Sequence, residues 1–396
     1  MGSPGPMDAT TIRVREPREL LALLPYQLGF RPQESAVAVS LRPPRGRVGL
    51  VARVDLRDLG EVVDGPQLAR SLVSHLVSDG ARRAVLVLYT AEDPRLAGSG
   101  RGATRAALAR AADSRAAAEQ LREAAEPFLG DVPVWVVVHS GYLALDCTDD
   151  DCCPPGGRPL RDLEGTAVSA HMVLAGALVE DSREDLVRIP PASAGARRNT
   201  VRVADRWRAR RASADLAGAR RLDRWCAEGL AAWRTALDRS LAGDAPARPA
   251  LLGRIEASLT DVRVRDAVLL ALVPGTGNLP ERSLVGRADR PEAEIAHGTS
   301  DALGAILDSR RGLPPDDVLV AAGAEVLERV VAHAHGKYQA PALTLLAVLA
   351  WWQGDGARAS VLLDRALAVD PNHRLALLLG EVLAGGLAPG WVRRPV

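Results

Sequence analysis

The chain of 396 residues is 47% hydrophobic and 25% charged, a globular composition that excludes wholesale disorder and has length enough for two to three domains. Its 50 basic and 49 acidic residues nearly cancel, so no net field drives it onto nucleic acid or anionic lipid. Lysine occurs once, in His335-Gly336-Lys337-Tyr338, a context that fits no Schiff-base, Walker or kinase chemistry.

Residues 1–11 lack an apolar signal core and are expected to be a disordered leader on a cytoplasmic protein. No apolar run approaches the roughly 18 residues that cross a bilayer; the longest is 344–352. Residues 12–195 alternate strand and helix signals. Ala36-Val37-Ala38-Val39-Ser40-Leu41 and Val48-Gly49-Leu50-Val51-Ala52-Arg53-Val54 flank Pro43-Pro44-Arg45-Gly46 and predict an antiparallel hairpin. Residues 67–77 predict a helix. Ala84-Val85-Leu86-Val87-Leu88-Tyr89 and Val134-Trp135-Val136-Val137-Val138 are unbroken apolar runs, as in strands covered on both faces. The helical stretch 104–128 between them completes a βαβ unit. An α/β domain with a mixed sheet and covering helices is expected.

Past Pro190-Pro191 and the linker 192–196, no strand pattern recurs, and residues 196–396 are expected to form an all-α domain. Leu222, Trp225, Leu230, Trp233 and Leu237 line one helix face. Further helices are predicted over 261–272, 300–309, 317–334, 341–352, 357–369 and 373–383. Near the end, Gly354, Asp355, Ala359, Leu363, Ala366 and Pro371 have the spacing of the second half of a tetratricopeptide repeat, in which small residues let paired helices approach. A single copy cannot bury its own face, so the hairpin is expected to pack on preceding helices and to offer a surface to a protein partner.

Several segments together resemble the domain of unknown function (DUF) 4192 family. They are Leu21-Ala22-Leu23-Leu24-Pro25-Tyr26-Gln27-Leu28-Gly29-Phe30-Arg31-Pro32-Gln33-Glu34-Ser35, the stretch from Cys147 through Cys152-Cys153-Pro154-Pro155-Gly156-Gly157, Ser182-Arg183-Glu184-Asp185-Leu186, and Ala350-Trp351-Trp352-Gln353-Gly354-Asp355-Gly356 through Pro371. The resemblance implies an actinobacterial origin. It carries no activity and no catalytic residue.

Cys147, Cys152 and Cys153 place three thiols within seven residues, beyond an apolar strand and among Asp146, Asp149, Asp150 and Asp151. Three readings stay open: reduced structural cysteines, a disulfide from Cys147 to Cys152 or Cys153, and a metal site, zinc being the first candidate, with His139 or His171 as a fourth ligand. The carboxylates are expected to raise the thiol pKa values and oppose a reactive thiolate.

His139 follows a strand and lies where ligands bind open α/β sheets; with Cys147 it would make a minimal nucleophile and base, or it is an ordinary strand-end residue. Tyr89 ends the other buried strand. Gly98-Ser99-Gly100-Arg101-Gly102 could cradle an anion through Arg101 and helix amides, or be a surface loop. Ten arginines face three aspartates over 197–224, near Trp207 and Trp225. A solvated helix with core-facing tryptophans is favoured there over a nucleic-acid stripe. His333 and His335, two apart in a predicted helix, make a poor metal pair, and Trp351-Trp352 reads as helix-pair core. The leading expectation is a non-enzymatic interaction or regulatory protein. The alternative is a small-ligand binder or enzyme using Tyr89, His139, Arg101 and the cysteine loop at the sheet's carboxyl edge.

Overall fold

Leucines at 20, 21, 23, 24 and 28 give α1 (Pro17–Leu28) its buried face, Glu16 and Glu19 form a capping box, and Gly29 ends the helix at φ 77°. This computed structural model describes residues 16–44, 46–96, 104–285 and 293–392, so the expected leader, 1–11, lies outside the described residues. The hairpin follows: β1 (Ser35–Arg42) and β2 (Arg47–Asp55) pair antiparallel, from Ser35 opposite Asp55 to Arg42 opposite Arg47. Then come α2 (Leu56–Gly60), α3 (Gly65–Ser78), β3 (Arg83–Tyr89), α4 (Arg105–Leu129), β4 (Val134–Val137), β5 (Tyr142–Ala144), α5 (Arg161–Glu164) and α6 (Ala167–Leu174).

The sheet order is β2-β1-β3-β4-β5, with β3 and β4 parallel and the other neighbours antiparallel. This is a mixed sheet, and α4 is the crossover of its βαβ unit, started by Thr104 Oγ1 accepting from Ala107 N at 3.2 Å. Ala36, Ala38, Leu86, Leu88, Val134 and Val136 share one core with residues of α2, α3 and α4. Their neighbours Val37, Val39, Val85 and Val87, pointing to the opposite face, are equally buried. The unbroken apolar runs therefore reflect cover on both faces. Each such side chain contributes about 1.5–3 kcal/mol by leaving water.

Asp79, just after α3, ties that helix to the hairpin. Its carboxylate accepts from Ser40 Oγ at 2.5 Å, Arg42 Nε at 2.8 Å and Leu50 N at 2.8 Å. Burial pushes the Asp79 carboxyl up, but the hydrogen bonds from Arg42, Ser40 and Leu50 outweigh it and leave the group below the usual carboxylate range. A side chain at Gly49 would collide with Asp79, Arg42 and Ser40 together, so this strand position has no room for one.

The chain divides into two compact units, one ending at Leu186 and the next starting at Val187. Among the described residues the second unit is predominantly helical: α7 (Ala194–Leu216), α8 (Ala219–Leu241), α9 (Pro249–Leu259), α10 (Val262–Leu270), α11 (Leu279–Arg282), α12 (Ala293–Leu307), α13 (Asp317–His333), α14 (Ala340–Trp352), α15 (Gly356–Val369) and α16 (Arg374–Ala384). Trp207 and Trp225 stack at 5.9 Å in its core, with Trp207 Nε1 donating to Ser258 Oγ at 2.9 Å. Every residue of α14 is buried, Trp351 and Trp352 included. Helix α13 ends at His333, so His335 lies outside it, where its ring meets Tyr338 edge-on at 5.8 Å. The helix stops two residues short of that second histidine, with Ala334 already extended.

Candidate metal centre

The sulfur loop begins where the sheet runs out. Val138 N donates to Gly141 O at 2.8 Å to turn β4 into β5, and Cys147 N donates to Ala144 O at 3.2 Å. Asp149 then organises the loop: its Oδ1 accepts from Asp151 N at 2.9 Å and Cys152 N at 3.4 Å, and its carbonyl accepts from Cys153 N at 2.7 Å. The return leg pairs with β5, Tyr142 N to Arg158 O at 2.9 Å and Arg158 N to Tyr142 O at 2.8 Å. Gly157 makes that approach feasible: its φ is 83°, and a Cβ there would sit 2.7 Å from Tyr142 N.

These turns bring the Sγ atoms of Cys147, Cys152 and Cys153 within 4.8 Å of one another, an arrangement that can coordinate a metal ion such as zinc. All four cysteines are free thiols. Cys153 is 2% exposed and belongs to the sheet core, while Cys147 and Cys152 are half-buried. The Cys152 and Cys153 sulfurs are 4.0 Å apart, and Ala144 N donates to Cys153 Sγ at 3.5 Å.

Two guanidinium groups hold the loop from either side. Arg95, in the turn after β3, donates through Nη1 to Cys147 O at 3.1 Å and Cys153 O at 3.0 Å, and through Nη2 to Pro154 O at 3.1 Å. Asp93 fixes Arg95 in turn. Arg158 donates through Nε to Cys152 O at 2.6 Å and through Nη2 to Cys152 Sγ at 3.4 Å. Neither arginine stands out in the sequence, because Arg95 lies 52 residues before the first carbonyl it binds and nothing local marks it.

Hydrogen bonds outweigh the Asp149 charge, which raises the Cys147 thiol as expected. Backbone hydrogen bonding at Asp149, followed by the Cys153 sulfur, draws the Cys147 thiol below its ordinary value. Cys153 is raised, first by burial. Asp146 is engaged elsewhere, with Arg122 Nη1 at 3.2 Å.

The other predicted residues do not join this centre. His139 is exposed in the β4–β5 turn and His171 lies on α6; neither belongs to the sulfur group. Tyr89 ends β3 fully buried, its phenol far above the usual range through desolvation, and its Oη has no hydrogen-bond partner among the described residues. Arg101 and the glycine loop lie outside the described residues. At the carboxyl edge of β3 there is instead a cavity of about 320 Å³ lined by Glu34, Asp55, Leu56, Arg57, Asp58, Arg110 and Asp113. Glu34 has a φ of 43°, uncommon for a residue with a Cβ, and its Oε1 accepts from Ala91 N at 2.9 Å.

In the second unit, Gly354 turns the chain at φ 88°, Asp355 Oδ1 caps α15 by accepting from Arg358 N at 2.9 Å, and Ala359, Leu363 and Ala366 are buried. Pro371 follows the end of α15 at Val369. The arginine run is partly neutralised from distant elements: Arg208 pairs with Glu256 at 3.0 Å, Arg210 with Glu228 at 2.9 Å and Arg211 with Asp261 at 2.8 Å. Trp207 and Trp225 face the core.

Among known proteins, the model of one family, described as a domain of unknown function (DUF4192), matches residues 17–286 and 317–390. No curated protein and no solved structure matches the chain.

Proposed function

The chain belongs to the DUF4192 family, a membership that brings no reaction with it, and from the geometry we propose a non-enzymatic intracellular regulatory protein that binds zinc through Cys147, Cys152 and Cys153. The observation that carries this reading is the convergence of three sulfurs within 4.8 Å. Zinc–sulfur bonds of 2.3 Å at tetrahedral angles require sulfurs about 3.8 Å apart. The Cys152–Cys153 separation is near that value, and the rest of the group needs to close by an ångström or less. The arginine-bound carbonyls preset the loop for it.

The second unit supplies the interaction half of the proposal. The α14–α15 pair, with Ala359 and Ala366 at its contact and Asp355 capping the second helix, supports a tetratricopeptide-like hairpin. In this reading the helical unit engages a protein partner. The ion pairs along the arginine run weigh against nucleic acid as that partner.

The test is metal content and affinity. The full chain, purified reduced, is expected to carry one zinc, lost in the Cys147→Ser/Cys152→Ser double variant with the fold retained. Three thiols that remain fully titratable after zinc addition, with no ion retained on gel filtration, overturn the reading.

The cavity at the carboxyl edge of β3 favours a second reading, a small-ligand site. Four carboxylates against two arginines point to a cationic ligand. A thermal-shift screen of small amines that moves the wild type and the Asp113→Asn variant alike sets it aside.

A further inference from the structure

Resting on the zinc reading above, we propose that the metal centre keeps an exchangeable fourth position, and that this position takes a small thiol bearing a carboxylate. The donor inventory is the first ground. The chain has four cysteines and seven histidines, and all of them fall within the described residues. The sulfur group contains three cysteines and no histidine. The fourth cysteine, Cys226, is buried in the second unit among Asp223, Asp261 and Arg263, with Arg263 Nη2 donating to its sulfur at 3.0 Å. No carboxylate of the described residues joins the sulfur group either; Asp146 is held by Arg122 and Asp149 Oδ1 by two loop amides. A tetrahedral ion held by three protein ligands keeps its fourth position for water or an outside ligand.

Burial fixes the direction of that position. Cys153 sits on the sheet core and closes the inner side, whereas Cys147 and Cys152 are half-exposed. The solvent-facing side of the sulfur group is therefore that of Cys147 and Cys152, and an exchangeable fourth ligand would enter from there. Three thiolates on a divalent ion leave one negative charge, and an all-sulfur donor set favours a further soft donor over oxygen. Arg158 is exposed and already donates to Cys152 Sγ at 3.4 Å, so its guanidinium stands at the rim of the open position. A thiol that also carries a carboxylate satisfies both groups. It enters as thiolate, gives its proton to solvent, and displaces a water; no redox change is involved.

The experiment loads the full chain with Co(II) and follows the sulfur-to-cobalt charge-transfer and visible d–d bands. Titration with mercaptoacetate is expected to shift the visible bands saturably toward an all-sulfur pattern at one equivalent per chain. Mercaptoethanol, lacking the carboxylate, should bind about two- to fivefold more weakly, the effect of an exposed ion pair. Arg158→Gln also loosens the loop, so it is loaded at a cobalt concentration that saturates the weakened site, and there it should erase that difference. Cobalt uptake with bands indifferent to either thiol overturns the exchangeable position and leaves the zinc reading standing. Absence of any charge-transfer band overturns the zinc reading itself, and this proposal with it. An undiminished preference for mercaptoacetate in Arg158→Gln overturns the assignment of the carboxylate to Arg158.

Discussion

Asp93 holds Arg95 by a charged hydrogen bond, Oδ2 accepting from Nη2 at 2.9 Å with the aspartate side chain only 3% exposed. One buried carboxylate thus orients the guanidinium that binds three carbonyls of the sulfur loop. Groups that position ligands from outside typically govern 10–100-fold of metal affinity. Arg95→Gln is therefore expected to weaken zinc binding by about that factor, measured by competition with a chromogenic chelator, while far-ultraviolet circular dichroism stays unchanged. Affinity within twofold of the wild type would remove Arg95 from this role.

Zinc should also stabilise the first unit, because a ligand that binds only the folded chain adds about 2.7 kcal/mol at a free concentration 100 times its Kd. Thermal unfolding with buffered zinc is expected to show a raised Tm in the wild type and none in Cys147→Ser. An equal rise in both proteins would place the effect elsewhere.

The Asp79 cluster predicts a defined acid response. Its carboxyl is lower in the folded chain than in the unfolded one, where the value is about 3.9. Below that unfolded value the unfolded chain takes up a proton that folded Asp79 resists. The contribution is complete above it and disappears as pH falls through the folded value. Asp79→Asn should flatten the acid limb of a urea-stability profile, and Gly49→Ala, which crowds the same network, should destabilise at neutral pH. Unchanged acid sensitivity in Asp79→Asn would assign the limb to other groups.

Glu256 behaves in the opposite sense. It is 1% exposed, Oε1 pairs with Arg208, Oε2 has no partner among the described residues, and burial pushes the carboxyl up to about 6 against the pull of Arg208. Between the unfolded value of about 4.3 and about 6 the folded chain keeps a proton the unfolded chain has lost, so stability declines as pH rises through that window. The decline amounts to about 2 kcal/mol, fully developed above the upper value. Glu256→Gln should remove this slope in unfolding measured from pH 4 to 7; a slope of the same size in the variant would exclude Glu256 as its source.

Helix pairing in the second unit is testable by volume. Ala359 and Ala366 have no exposed surface. Enlarging a fully packed position costs about 1–3 kcal/mol, so Ala366→Leu should lower the urea midpoint with little change in slope. A neutral outcome would mean that the helices separate without penalty.

Legibility from sequence followed the range of the interactions. The hairpin, β3, α4 and β4 were readable because each is specified by its own apolar run and turn residues, and β1 and β3 carry the same alternation on both buried faces. Strand β5 has only three residues, too few to establish a period, and α1 carries Pro25 inside an otherwise helical leucine pattern. The cysteine cluster was visible as spacing alone. Its supports were not: Asp93, Arg95 and Arg158 act through backbone carbonyls that any residue supplies. The arginine run was likewise legible only as a charge pattern, since its neutralising partners Glu228, Glu256 and Asp261 lie outside it.

The tie from Arg95 to the Cys153 carbonyl spans 58 residues and encloses α4, β4 and β5. Closing so long a loop carries an entropic cost that the intervening elements must first offset. The three thiols are therefore expected to gather only once the elements inside that loop have set. On the zinc reading, capture of the ion then follows closure of that loop, and a nascent chain halted before Cys153 would hold zinc no better than a short cysteine peptide.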